Sequence, residues 1–510
     1  VLALKGLYNG RMAKFYVTTA IPYVNAPPHI GHAVEYVQAD VVARWHRLIG
    51  DETFFLVGTD ENTLKLIQAA EKEKTEPRAL ADKYVAVFVD LWQRYQISHD
   101  YVIRTTDEVR HHPGAQKLWQ ALSDNGYIYK GTYEGWYCVG CEQFYTEKEI
   151  IDGTCPTHGT VLEKRSEENY LFKLSAFGEQ IERILTDGTC QLVPESRRNE
   201  VVSFVRQGLS DISFSRPAER LRMGVPVPGD ETQTMYVWVD ALANYVTGIG
   251  YGRDEELFDR WWPADLQVIG KDITRFHAVY WPAMLLGAGL PLPKKLYAHG
   301  FMTVEGEKMS KSKGNVIDPF DLAEVHGVDA IRYYLLHSLP YASDGDYSEH
   351  HFTEIYEAHL ANDFGNLVSR VLAMVTKTGD GQAPKGTHDR KLAEHVGQTW
   401  ERLKFLFDEG RFSEAIDAVH QLTVAANRFI EQKQPYKQEG QDQADTLTTL
   451  LQVLGHLSLL YEPFIPEAAG KLQERLGLTA KPASWTEAIA FEKVPAGTAV
   501  NKGESLFPKS

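Results

Sequence analysis

Phe15-Tyr16-Val17-Thr18-Thr19-Ala20-Ile21 has the apolar character of a buried strand and leads through Pro27-Pro28 to His29-Ile30-Gly31-His32. Behind that word Val34, Val37, Val41, Val42, Trp45, Leu48 and Ile49 recur at spacings of three and four, a helical stripe that Gly50 is placed to end. The word therefore opens a helix. The two prolines keep that helix from starting earlier, Gly31 has no side chain to hold a phosphate away, and the exposed backbone N–H groups favour an anion. Two imidazoles would then flank a phosphorus atom. The plainer reading is that both histidines are cap and surface residues.

A second word, Lys308-Met309-Ser310-Lys311-Ser312, follows an apolar, strand-like segment at 296–304 and a turn at Glu305-Gly306-Glu307. Lys308, Lys311 and Lys313 crowd one loop, where mobile ammonium groups can neutralise charge growing on a departing pyrophosphate. Alone, such a loop is usually a solvated lysine run. Paired with the histidine word, it points to the binding and rearrangement of a nucleoside triphosphate.

The two words resemble the signature motifs of class I aminoacyl-tRNA synthetases. Ala20-Ile21-Pro22-Tyr23-Val24-Asn25, Tyr236-Val237-Trp238-Val239-Asp240-Ala241, and Gly270-Lys271-Asp272-Ile273 leading to Phe276-His277 are similar to the methionyl-tRNA synthetase family. The resemblance runs from Phe15 to Leu506-Phe507-Pro508. It implies ATP-dependent activation of L-methionine, with magnesium accompanying ATP, and transfer to the terminal adenosine of tRNA(Met), initiator and elongator. His29, His32, Lys308 and Lys311 would be the catalytic groups, and Gly31, Gly270, Asp272 and Lys311 would hold ATP. Ile21, Tyr23, Trp238, Ala241, Tyr245 and His277 would line the pocket for the thioether. Asp60 would pair with the α-ammonium group, with Arg216 near it and near the carboxylate or phosphate. Asn366 and Arg370 match the anticodon-reading pair, and Tyr436 stands where the family has a third reader, a tryptophan.

One departure lies beside the pocket. After Gly58-Thr59-Asp60-Glu61 the family continues His-Gly, whereas this chain continues Asn62-Thr63. Asparagine replaces one imidazole hydrogen bond but cannot become a cation, and threonine does not take the positive φ open to glycine. Activity with altered local geometry is expected. Relatives that charge isoleucine, valine or leucine would carry a large hydrolytic insertion, for which the segment between the sheet halves is too short. A cysteinyl enzyme would need thiolates near His29 or Trp238, and a noncatalytic relative would be expected to lose part of the two words.

Three of the four cysteines fall in Cys138-x-x-Cys141 and Cys155-x-x-His158, whose halves are thirteen residues apart. That spacing suits two knuckles closing around one structural zinc with every position filled by protein. A disulfide or unrelated thiols are the alternatives. Cys190 reads as a small buried hydrophobe.

At 510 residues the chain should hold several domains. A formal charge of −16 is a poor profile for nonspecific nucleic-acid binding, so any RNA contact must use local basic patches. No apolar run of about eighteen residues and no signal peptide is evident, so a cytosolic, membrane-free protein is expected. Residues 12–125 read as the first half of a Rossmann-like, doubly wound α/β sheet with a second strand at 53–57. Residues 126–234 read as an insertion holding the zinc knuckle, and 235–300 as the second half of the sheet. A linking domain with the lysine loop follows at 301–360. An α-helical anticodon-binding bundle occupies 361–490 and a tail 491–510. Within the bundle, Phe412, Ile416, Val419, Leu422, Ala426 and Phe429, then Leu447, Leu450, Leu451, Leu454 and Leu457, step at helical spacing, and 377–387 reads as a loop between helices. The resemblance further implies a monomer, because the extra C-terminal domain of dimeric relatives is not seen.

Overall fold

The structure, a computed structural model, describes residues 13–138, 143–145, 150, 152–155, 159–219, 221, 223–309, 314–478 and 480–509. Cys141, His158 and Lys311 lie outside the described residues. The central sheet is parallel throughout. Its first strands are β1 (Lys14–Thr19), β2 (Glu52–Thr59) and β3 (Tyr101–Arg104), in spatial order β3-β2-β1, followed by Leu266–Gly270, Lys295–His299 and Gln191–Val193. Order reverses between β1 and Leu266–Gly270, where Val17 faces Leu266. Loops leaving these two strands diverge at that point and open a crevice, the usual ligand position of such sheets.

Tyr16 and Val17 are fully buried because both faces of the sheet are covered. One cover is α1 (Ile30–Leu48), whose Val34, Val37, Val41, Val42, Trp45 and Leu48 are all buried, as the stripe requires. Gly50 follows the cap at φ +92°, and a Cβ there would also meet the Ala483 carbonyl. The second strand-like stretch, 296–304, is broken into Lys295–His299 and Met302–Val304. The break falls at Gly300, where a side chain would strike the Ser343 carbonyl.

The segment 126–234 is more entangled with the sheet than an insertion would be. It contains a long antiparallel pair, Ile128–Cys138 with Glu163–Phe172, but also gives the sheet its edge strand Gln191–Val193. Three residues are too few for any period to betray them. Helical turns run without a break from 349 to 378, across the expected join at 360/361.

The back of α1 rests on the helical bundle. Trp45 stacks on Phe407 at 4.5 Å and 7° and touches Trp400 and Trp485. Arg332, fully buried, donates to Asp40 of α1 at 2.7 Å, to the Tyr95 carbonyl at 2.9 Å, and to the Pro463 and Phe464 carbonyls at 2.8 and 3.1 Å. The helix that begins with the histidine word is thus pinned to the end of the bundle. Among the described residues no helix is long and apolar enough to cross a membrane.

Candidate active site

His29 is the N-cap of α1, and the cap is reciprocal. The Gly31 N–H donates to His29 Nδ1 at 3.2 Å, and the His29 N–H donates to His32 Nδ1 at 3.1 Å. Each Nδ1 is therefore an acceptor, which puts the ring proton of the neutral imidazole on Nε2. Burial and the neighbouring His29 hold His32 well below the ordinary imidazole range, so it is a neutral donor. Both readings of the word hold at once: the histidines cap the helix, and the cap fixes their donating atoms. A Cβ on Gly31 would lie 3.0 Å from the His29 ring. Any larger residue would push that imidazole aside.

The described start of the second word, Lys308-Met309, comes to the same place. Met302–Val304 pairs in parallel with Gly345–Tyr347, and Asp346 accepts from Thr303 Oγ1 at 2.6 Å and from the Gly306 N–H at 2.8 Å. The loop so anchored brings Met309 Cε to 3.9 Å from a Cβ position on Gly31, while the Ile30 N–H donates to the Ile317 carbonyl at 3.2 Å. Lys308 stands over the Phe301 ring at 5.5 Å. Asp346 carried no sequence signal, because its role depends on pairing between two short strands.

Beside the histidines a pocket is lined by Ala20, Ile21, Tyr23, Asp60, Trp238, Ala241, Leu242, Tyr245, Ile273 and His277. Its members come from the carboxyl ends of β1 and β2, from the helix Val237–Thr247 and from the turns after Leu266–Gly270. Trp238 lies flat on Phe276 at 3.7 Å and 5°. His277 donates from Nδ1 to the Ile273 carbonyl at 3.0 Å and accepts at Nε2 from the Tyr245 hydroxyl at 2.7 Å. Burial lowers His277 to about 4. The wall is thus neutral and largely aromatic, with one buried carboxylate, Asp60, in its lining. That arrangement suits a zwitterion with an apolar, unbranched tail.

Of the residues expected at this pocket, Arg216 alone is not among its lining. Its guanidinium is buried against the Tyr236 ring at 4.4 Å and donates to Ser213 Oγ at 2.8 Å and to the Ser215 carbonyl at 2.7 Å. The turn through 213–217 directs it there.

The residues expected to hold ATP, Gly270 and Asp272, lie across the switch point. Gly270 ends its strand, and a Cβ on it would come within 2.8 Å of Asp272 Oδ1, so the carboxylate folds over bare backbone. Sequence reading missed the pair behind it. His299, the cross-strand neighbour of Gly270, meets Glu35 of α1 at 3.1 Å. Burial raises the Glu35 carboxyl; burial opposes charge on His299, but Glu35 outweighs it and moves His299 up. Glu35 sits one turn beyond His32, a spacing that marks a shared face and was available in the sequence.

The departure at Asn62-Thr63 is accommodated without strain. Thr63 caps the helix Leu64–Glu73 at φ −130°, its Oγ1 accepting from the Leu66 N–H at 3.0 Å, so no positive φ is needed. Asn62 Nδ2 donates to Asp240 Oδ2 at 2.9 Å.

Farther off, Cys138 and Cys155 are buried thiols in a small cluster with Tyr145 and Leu162, and Cys190 is a core residue whose thiol burial raises to about 12. In the bundle, Asn366 begins the helix Asn366–Thr378 and is exposed, and Arg370 pairs with Glu431 at 2.7 Å. Tyr436 lies in the turn Pro435–Lys437 and is 53% exposed, an unusual position for a large ring.

Comparison with known proteins places these features in a lineage. Residues 15–163 and 157–372 match the family described as tRNA synthetases class I (M), and 380–510 match the anticodon binding domain of methionyl tRNA ligase. The methionine-tRNA ligase of Caldanaerobacter subterraneus subsp. tengcongensis is 41% identical over 505 residues, covering 97% of this chain and 78% of its own. That of Brucella suis biovar 1 is 42% identical over 509 residues, covering 97% and 98%. Mycobacterium tuberculosis methionyl-tRNA synthetase in complex with methionyl-adenylate superposes with a TM-score of 0.92 at 42% identity, covering 98% of this chain and 100% of that one.

Proposed function

This chain belongs to the methionyl-tRNA synthetases of class I, and from that premise we infer how its crevice works. The enzyme is a methionine-tRNA ligase: it activates L-methionine with ATP to methionyl-adenylate, releasing pyrophosphate, and passes the methionyl group to the 3′-terminal adenosine of tRNA(Met). The approach of Met309 to Gly31 carries the mechanistic reading, because it sets the start of the second word against the histidine cap.

The methionine side chain enters between Trp238, Tyr245 and His277, and its ammonium group pairs with Asp60. ATP enters as its magnesium complex, with its ribose at Gly270 and Asp272 and its phosphates over Gly31. The methionine carboxylate oxygen forms a bond to the α-phosphorus as the bond to pyrophosphate breaks. The Nε2–H groups of His29 and His32 and the ammonium groups of Lys308 and Lys311 meet the growing charge, and no enzyme nucleophile is needed. In the second step a ribose hydroxyl of the tRNA attacks the carbonyl and AMP leaves.

Asn366, Arg370 and Tyr436 are the proposed readers of the anticodon. The two on Asn366–Thr378 are four apart and share a face, and Tyr436 offers a stacking ring smaller than tryptophan. Base stacking on an aromatic is worth roughly 1–3 kcal/mol. Tyr436→Ala is therefore expected to raise the KM for tRNA about tenfold without changing ATP–pyrophosphate exchange, and Tyr436→Trp to preserve or improve charging. Equal charging by the parent and Tyr436→Ala would assign that base to another residue.

Zinc is proposed as a structural ion. The Cys155 N–H donates to the Thr160 carbonyl and the Gly159 N–H to the Cys155 carbonyl, both at 2.8 Å, a turn that presents one thiol beside the end of the hairpin bearing Cys138. The two buried thiols suit half of such a shell, and Cys141 and His158 would complete it. The ion would hold the knuckle shut and take no part in the reaction. One zinc per chain is expected by metal analysis, and Cys155→Ala should release it and lower the melting temperature. Stoichiometric, fully active protein without zinc would remove this role.

A further inference from the structure

We propose that Asn62 is a positioning residue that sets the distance between the ammonium end and the thioether end of the bound amino acid, an inference that rests on the methionine reading above. Its backbone N–H donates to Asp60 Oδ1 at 3.2 Å, holding the carboxylate assigned to the ammonium group. Its side-chain Nδ2 donates to Asp240 Oδ2 at 2.9 Å. Asp240 Oδ1 accepts from His111 Nε2 at 2.6 Å, and His111 Nδ1 meets Thr247 Oγ1 at 2.8 Å. Asp240 and Thr247 belong to Val237–Thr247, the helix that also carries Trp238, Ala241 and Tyr245. One residue thus joins the site for one end of the substrate to the element that walls the other.

The connection is closed to water and to alternative rotamers. Asn62, Asp240, His111 and Thr247 are each at most 1% exposed. A Cβ on Gly224 would lie 2.6 Å from Asn62 Nδ2 and 2.9 Å from its Oδ1, so the amide is boxed in. Asp240 can only accept, which forces Asn62 to present its NH2 and fixes the orientation of the amide. An amide donates at every pH. The charged or titratable groups facing this network include Asp60, Asp240, His111 and His112, with Glu61 beside them paired to Arg104 and Glu108 acting on His112.

The test is pyrophosphate exchange by Asn62→Ala and Asn62→Asp, each measured with methionine and with ethionine, whose tail is one CH2 longer. Asn62→Ala should raise the KM for methionine about tenfold, the size of one lost hydrogen bond to a buried carboxylate. The KM for ATP should stay unchanged, and the preference for methionine over ethionine should fall. Asn62→Asp, nearly the same shape, sets a second acceptor against Asp240 and can donate only when protonated. Its KM for methionine should be raised at pH 8 and recover as the pH is lowered, because two facing carboxylates take up a shared proton. A general loosening of the fold would move both KM values together and give no such pH dependence. Parallel changes in the two KM values, or unchanged methionine selectivity in Asn62→Ala, would overturn the proposal. Parent enzyme without methionine-dependent exchange would instead overturn the functional reading beneath it.

Discussion

His32→Asn is expected to slow adenylate formation by roughly 100- to 1000-fold, the effect of removing one preorganised donor, while the melting temperature stays near that of the parent. The asymmetry follows from the cap. His32 Nδ1 accepts the His29 N–H at 3.1 Å, and an asparagine Oδ1 can stand in that place and keep the helix start intact. The Nε2–H on the far side of the ring has no counterpart in asparagine. Glutamine, whose amide reaches that far atom, should retain more of the rate than asparagine does. Stopped-flow measurement of the first step, with a thermal melt of each variant, checks both halves. An unchanged rate in His32→Asn would remove this imidazole from the phosphate, and a large loss of stability would show that the cap itself had failed.

Arg332→Ala should destabilise the protein by about 3–5 kcal/mol, because it removes one of the two cations paired with buried Asp40 and leaves three buried carbonyls without that donor. Asp40 also binds Arg44 at 2.7 Å and Ser98 Oγ at 2.6 Å. Burial by itself would raise the Asp40 carboxyl, but Arg44 and Arg332 outweigh it and hold it at about 2, below the ordinary 3.8. A carboxyl depressed by folding stabilises fully above its unfolded value and loses that contribution as the pH falls through its folded value. Acid unfolding of the parent should therefore draw on Asp40 between pH 3.8 and about 2. In Arg332→Ala, with one cation gone, that window should narrow and unfolding begin at higher pH. Denaturant unfolding at pH 7 and an acid titration of both proteins measure this. A loss under about 1 kcal/mol would mean that water reaches the site and replaces the guanidinium. Because Asp40 lies on α1, the variant should also slow the first step without touching a substrate.

The parts of the fold that sequence made legible are those with a period to read. The α1 stripe and the stripes at 412–429 and 447–457 repeat long enough to declare a buried face, and β1 declares itself by its apolar run. Gln191–Val193 does not, and its membership of the sheet depends on Lys295–His299, which is remote in sequence. The pocket was legible in a different way. Trp238, Tyr245 and His277 look like core residues by composition, and only the family resemblance singled them out. Local geometry then decided what resemblance could not: Arg216 turns to Ser213 and Tyr236, and Thr63 keeps an ordinary φ as an N-cap. The bond from Asn62 to Asp240 spans 178 residues and has no signature in either segment. Arg332 reads as one more helix-face arginine until the bundle closes over it.

The most direct test of the central claim is ATP–pyrophosphate exchange measured with each of the twenty standard amino acids and with homocysteine. Methionine should drive exchange far faster than any other standard amino acid. Homocysteine should follow at a reduced rate, since one missing methyl group in an apolar pocket is worth only about 1–3 kcal/mol. Faster exchange with isoleucine, leucine, valine or cysteine than with methionine would contradict the account.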